Sequence, residues 1–186
     1  MERGGFAERD DARITELALA AARGDRRALD AWVRSTQADV WRFTAHLTDL
    51  AAADDLTQDT YLRAVRSLPR FAGRSSSRTW LLSIARRVVA DHLRRAPARA
   101  ARADDVELAG PGFEGVVDLH LLLDGLAEDR REALVLTQVL GYTYAEAAEV
   151  CGCPIGTVRS RVARAREALI AACDDREPGL RRGPAL

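Results

Sequence analysis

Residues 143–166 read TYAEAAEVCGCPIGTVRSRVARAR, and the punctuation inside this stretch decides how the chain folds. Thr143 followed three positions later by Glu146 is the pattern of a capping box, in which each side chain satisfies a backbone N–H left open by the first helical turn. A short helix is therefore expected from Tyr144 or Ala145 to about Cys151. Gly152 can adopt the left-handed conformation that ends helices, and Pro154 falls where proline is tolerated, in the first turn of the following helix. Two helices joined by a tight turn containing glycine make a helix-turn-helix. Upstream, Glu128 and Asp129 suit the positive end of another helix, which runs through REALVLTQVL and stops at Gly141.

The last helix decides what the unit is for. Val158, Val162, Ala165 and Leu169 recur at helical spacing and give an apolar stripe to pack inward. Arg159, Ser160, Ala163 and Arg164 project on another side, flanked by Arg161 and Arg166, with Thr157 at the entrance. Small residues between forked cations let a helix enter the major groove, where guanidinium groups donate paired hydrogen bonds to guanine or grip phosphate. A solvated charged face has the same composition. What favours DNA is the capped helix and glycine turn in front, and the lack of any acid between Val150 and Glu167.

Cys151 and Cys153 lie inside the turn, one residue apart. That is poor spacing for structural zinc, and no histidine stands nearby to complete a ligand set. Cysteine packs as a small hydrophobe, so position 151 is expected on the buried side of the short helix and Cys153 at the entrance of the next. Cys173 is a lone residue near a frayed end. A thiol or zinc sensor acting through Cys151 and Cys153 remains a competing reading, as does a stand-alone helix-turn-helix regulator binding a palindrome as a homodimer.

The chain has 186 residues, enough for one ordinary domain or two small ones, and 47% of them are hydrophobic. All 28 basic residues are arginine, and lysine and asparagine are absent, which points to a GC-rich genome. An odd count of 3 cysteines, no secretory start and no long apolar run predict a cytoplasmic location, with neither signal peptide nor membrane span. The net charge is zero, but it is segregated: residues 61–103 carry 11 Arg against one acid, and residues 104–155 carry 2 Arg against 11 acids. The basic blocks suit a polyanion and the acidic ones a basic partner. No phosphate-cradling glycine loop, nucleophile–base pair or metal set is present in the sequence. An enzyme, a cofactor, a metal and a small-molecule substrate are therefore not expected.

The pattern is helical from Arg13 to about Pro97, with breaks at Gly24, at 50–53 and at 69–77, and the sequence up to about Asp11 is expected to be disordered. Residues 97–116, rich in Pro, Gly and acids, read as a flexible linker that leaves two domains semi-independent, at 13–96 and 117–172. The tail after Cys173 has turn formers and no pattern. The expected fold is all-α: two small helical domains on a loose tether. On a helix over 53–68, Asp54, Asp55, Gln58, Asp59 and Leu62 share one sector, while Leu56, Thr60, Tyr61, Ala64 and Leu68 fill the opposite one. Gly73 and three serines make a small-residue loop in FAGRSSSRTW, after which Thr79 is expected to cap a helix over 80–95 with Leu81, Ile84, Ala85 and Val88 inward. Trp32, Trp41 and Trp80 have apolar helical surroundings and are expected in the core; His46, His92 and His120 are too scattered to form a ligand set.

These residues resemble the extracytoplasmic-function sigma factors, the smallest class of bacterial sigma subunits. YTYAEAAEVCGCPIGTVRSRVARAREAL is similar to their promoter-reading fourth region, ADDLTQDTYLRAV to their polymerase-binding second region, and SSSRTWLLSIARRVVADHLRR to the segment that melts and reads the minus-ten element. WRF, SRTWLL and VVADH resemble the actinobacterial sigma-C-like subgroup. The resemblance covers about residues 13–96 and 117–172, with the motifs in the family's order. It implies that Asp54, Asp55, Gln58, Asp59 and Leu62 dock on core RNA polymerase, on a helical hairpin of the largest subunit, with the flap as a further contact. It implies a pocket for an unstacked minus-ten base in the loop of Ser75, Ser76 and Ser77, with Arg74 and Arg78 on flanking phosphates. Arg86, Arg87, Arg94 and Arg95 are then assigned to the duplex just upstream, and Thr157, Arg159, Ser160, Arg161, Ala163 and Arg164 to the minus-thirty-five element. Promoter DNA and core polymerase are the implied partners, and an anti-sigma protein that covers those same faces is another. The acidic linker ADDVELAG, in the family's RNA-exit path, is read equally well as a nucleic-acid mimic or as a solvated spacer.

Overall fold

The computed structural model describes residues 4–95 and 123–176, with side chains over 10–95 and 123–172. The first unit comprises α1 (Gly4–Ala22), α2 (Arg26–Leu47), α3 (Leu50–Ser67) and α4 (Ser77–Arg95), with a 3-10 turn at Leu68–Arg70. The second comprises α5 (Glu128–Leu134), which widens into a π turn at Val135–Val139, then α6 (Tyr144–Cys151) and α7 (Ile155–Arg176). Among the described residues there is no strand, so the all-α expectation holds.

Short polar side chains set the helix starts. Asp25 accepts from the backbone N–H groups of Arg27 and Ala28, and Asp49 accepts from that of Ala52 at 2.7 Å. The Asp49 cap corrects the expected break at 50–53. With the orphan amide satisfied, Leu50 and the alanines after it, all good helix formers, join α3, and the break falls at Thr48 and Asp49. The N-terminal expectation also changes. The chain is helical from Gly4, so a domain beginning at 13 would start inside α1. Ile14 and Ala18 of that helix are buried in the core, and Asp11 holds Arg78 at 3.0 Å.

Trp32, Val40, Phe43, Leu81, Leu82 and Val88 fill the centre of the first unit. The Trp32 ring meets Tyr61 edge-on at 5.9 Å, and Trp80 stacks at a tilt on Phe71 at 4.8 Å. The Tyr61 hydroxyl hydrogen-bonds to Thr36 at 2.7 Å, and burial pushes its pKa up to about 12. Trp41 departs from the expected core placement. It is half-buried at the rim of α2, and its indole N–H donates to Asp54 at 2.8 Å.

In the second unit Leu123, Val135, Leu136, Val158, Val162 and Ala165 are buried together. The π turn that ends α5 bonds Leu140 N–H to the Val135 carbonyl at 3.0 Å, and Tyr142 follows into the interior. The two units pack against each other through α4 and α6, and α2 also touches α5. Arg86 donates to Glu132 across this boundary, and the Arg78 guanidinium lies 5.3 Å over the Tyr142 ring. The expected semi-independence is thus replaced by a closed arrangement, with one charge pair and one cation over an aromatic ring crossing the boundary. The expected linker at 97–116, His120 and the tail beyond 176 lie outside the described residues, as does the side chain of Cys173.

Candidate nucleic-acid interface

The helix-turn-helix forms as its sequence requires. Thr143 and Glu146 make the reciprocal capping box, and Gly152 takes the left-handed conformation at φ 63°. Pro154 stands one residue outside α7, its carbonyl accepting from Thr157 and Val158, so it precedes the first turn rather than sitting in it. Val158, Val162 and Ala165 are buried, and Leu169 packs at the edge of the same core. That orientation leaves Arg159, Ser160, Ala163 and Arg164 exposed on the other side of α7. The Arg159 guanidinium lies 6.0 Å from the centre of the Tyr144 ring, which steadies it at the edge of the face.

Arg161 does not belong to that open face. Its Nε pairs with Asp129 of α5 at 3.0 Å, and its Nη1 donates to the Cys153 sulfur at 3.7 Å. The side chain ties α7 to α5 and to the turn. Thr157 is half-buried, and its carbonyl accepts from the Ser160 hydroxyl. Cys151 is buried, and burial, aided by the Glu132 carboxylate, pushes its thiol up to about 12, far from a reactive thiolate. Both cysteines pack where the sequence placed them. Among the described residues no group of three or more His, Cys, Asp or Glu side chains is arranged to hold a metal.

The loop before α4 is more selective than its sequence suggests. Ser76, not Thr79, caps α4, its hydroxyl oxygen accepting from the Thr79 N–H at 3.1 Å. Helical structure therefore starts at Ser77 rather than at Trp80, and Thr79 is buried. Ser77 is itself wholly buried. Its oxygen accepts from the Trp32 indole at 3.1 Å, which removes it from the set of base-reading candidates. Arg78 is likewise withdrawn from phosphate contact. It is gripped by Asp11 and Asp39 and covered by Tyr142. Burial opposes its charge, yet Tyr142, Asp39 and Asp11 outweigh burial and hold the guanidinium protonated. Arg74 and Ser75 remain accessible at the loop's crest. On α4, Arg87 and Arg95 are exposed; Arg94 is exposed but paired with Asp91, and Arg86 is engaged by Glu132.

Asp54, Asp55 and Gln58 line an open face of α3, continued by Leu62, 53% exposed. Asp59 turns away, held by Arg63, which also reaches Asp91 of α4 at 2.8 Å. Beside this face Val33, Gln37 and Trp41 of α2 complete a groove of about 400 Å³ with Asp54, Asp55, Thr57, Gln58 and Tyr61. Sequence reasoning missed the α2 contribution. Its signal was the spacing of 33, 37 and 41, which stacks three residues along one helical edge.

Residues 27–99 match the family model for Sigma-70 region 2, and residues 117–169 match that for Sigma-70, region 4. The chain is 55% identical over 177 residues to the ECF RNA polymerase sigma factor SigC of Mycobacterium tuberculosis, covering 91% of this chain and 94% of that one. It is 32% identical over 166 residues to the ECF RNA polymerase sigma-E factor of Escherichia coli, covering 79% and 87%. Among solved structures it is similar to CnrH in complex with the cytosolic domain of CnrY, at a TM-score of 0.72 and 28% identity over 87% of this chain and 97% of that one. It is also similar to the sigma factor RpoE of Bartonella quintana bound to the anti-sigma factor NepR, at a TM-score of 0.70 and 27% identity over 83% and 98%. With both regions matched in order and more than half its residues shared with a full-length relative, the chain belongs to the extracytoplasmic-function sigma factors of the sigma-70 family.

Proposed function

We propose that this sigma factor works through three separate surfaces. Asp54, Asp55, Gln58 and Leu62, with Trp41 beside them, dock on core RNA polymerase. Arg74 and Ser75 at the loop crest, with Arg87 and Arg94 of α4, serve the minus-ten element. Arg159, Ser160, Ala163 and Arg164 of α7 read the minus-thirty-five element. In this reading the unit over 13–96, extended by the start of α1, and the unit over 117–172 take separate promoter elements, joined by 97–116. The observation that carries the proposal is α7. Its apolar side is buried in the second unit, while small residues and two arginines stand exposed behind a capped helix and a left-handed turn. Forked donors can then reach base edges with no bulky neighbour between them.

Binding energy, not covalent chemistry, drives the step. Unstacked bases captured by the loop bias duplex promoter toward its open form, because the protein binds that form better. Charge-assisted pairs between the α3 carboxylates and arginines of the polymerase fix the orientation. No described helix is long and apolar enough to cross a membrane, and a subunit that serves polymerase on DNA works in the cytoplasm. The complex of RpoE with the anti-sigma factor NepR favours a comparable partner that covers these faces here. Run-off transcription with core polymerase over a promoter library tests the reading. Specific initiation should appear only with both proteins present, and should fall when Asp54 and Asp55 are replaced together by alanine. Tight, specific DNA binding without polymerase would overturn it in favour of a stand-alone regulator.

A further inference from the structure

Helix α1 lies ahead of residues 27–99, the span matched by the second-region model, and carries no role from it. Yet it touches both ends of the loop before α4. At one end, Thr15 Oγ accepts from the Ser77 N–H at 3.0 Å while its own hydroxyl donates to the Asp11 carbonyl at 2.8 Å. Asp11 in turn holds Arg78. At the other end, Gly73 is left-handed at φ 65°, and Leu19 Cδ1 lies 3.4 Å from where a β-carbon on Gly73 would sit. Leu19 therefore flanks the loop at the one residue whose conformation disfavours a side chain, close enough that a β-carbon there would touch it. Ile14 and Ala18, buried in the core, fix the helix that presents these groups.

The geometry points to α1 as the element that sets the shape of the base-reading loop, with Thr15 and Leu19 as positioning residues for minus-ten discrimination. The inference rests on the reading of Arg74 and Ser75 as the base-facing crest. A crest of one exposed and one half-buried residue keeps one shape only if its two ends are held. Here one end is held by a hydrogen bond from the Ser77 amide to Thr15, and the other is flanked by the Leu19 side chain at Gly73. A loop that wanders loses more on the correct base than on a wrong one, so discrimination falls before binding does.

The test uses the full chain assembled with core polymerase and measures open-complex formation on promoter fragments substituted singly across the minus-ten element. Thr15→Val keeps the shape of the side chain and removes its hydroxyl. It should lower the ratio between the preferred and the substituted promoters by about fivefold, as one lost hydrogen bond of ordinary strength would. Affinity for core polymerase should stay unchanged, and Thr15→Ser should restore the ratio. A ratio equal to wild type in Thr15→Val overturns the inference. Should that variant fail to fold, Leu19→Ala at the opposite end carries the same expectation and the same overturning result. Ser75→Ala separates the two readings. If it alters discrimination while Thr15→Val and Leu19→Ala do not, only the positioning role falls. If neither it nor Arg74→Ala alters discrimination, the loop reading falls.

Discussion

Arg164 is exposed on α7 beside Ala163, another exposed and small residue, and one turn beyond Ser160. A guanidinium so placed can reach a guanine edge with both of its forked donors. Arg164→Ala should therefore cost roughly 1–3 kcal/mol at one minus-thirty-five position and relax the preference there, read as initiation across single-base promoter variants. Equal initiation on every variant would remove Arg164 from the reading face. Glu132 shows the opposite situation, a charge placed where water cannot reach it. Burial raises its pKa above the ordinary value of 4.5, against the pull of Arg86 and Arg161. The native state then holds its proton more tightly than the unfolded chain does. The stability this group contributes is fully present below 4.5 and is lost as pH rises through the higher folded value. Melting temperatures of wild type and Glu132→Gln across a pH series check this. The difference, variant minus wild type, should be flat below the ordinary value and should turn more positive as pH rises above it. A difference that does not change with pH refutes the assignment.

Among the elements, α6 is short enough that its caps matter. Its eight residues form few internal bonds, and the Thr143–Glu146 box satisfies amides that would otherwise lie open. Thr143→Ala should destabilise the protein by about 1 kcal/mol in denaturant unfolding, within a range of roughly 0.5–2. No loss of stability would mean that packing alone holds α6. This element was legible in the sequence because its signals are local: a box spanning four residues, a glycine at the stop, a proline before the next start. The same holds for the buried stripe of α7 and for the exposed carboxylates of α3, which follow from helical periodicity alone. What was not legible depends on partners far along the chain. Arg78 reads as a loop cation until Asp11, 67 positions away, and Asp39 close on it. Ser77 reads as one serine among three until Trp32, 45 positions earlier, donates to it. Arg161 reads as part of a basic helix face until Asp129 takes it. Composition made all of these look alike, and only tertiary proximity separates the anchored from the open ones. The start of α1 was hidden for the same reason: its charged first turns carry no apolar stripe, and the contacts that anchor the helix are made in space.

At the scale of the whole molecule, the two units, proposed to serve separate promoter elements, are closed on each other. Their contact uses part of the basic surface: Arg86 of α4 is tied to Glu132 of α5, and Arg78 is covered by Tyr142. Arg86 spends its Nε donor on Glu132, so this side chain meets a phosphate with its full fork only when the pair separates. The Arg86 side chain is 40% exposed and Glu132 only 9%. Water screens one partner but not the other, and the pull of Arg86 offsets only part of the cost of burying Glu132, so the pair's net contribution is small. That is enough to bias an equilibrium between closed and open forms without locking it. Reversing the charge in Arg86→Glu sets two carboxylates against each other in a poorly hydrated cleft, and the free chain should expand, seen as a larger radius of gyration in small-angle X-ray scattering. The double variant with Arg86→Glu and Glu132→Arg re-forms the pair with its sense exchanged and should recover much of the compactness. A single variant that scatters like wild type would show that the packing of α4 on α6, with Arg78 over Tyr142, closes the molecule without this pair. Expansion that the double variant leaves unchanged would show that the pair's geometry, and not its charge, closes the molecule.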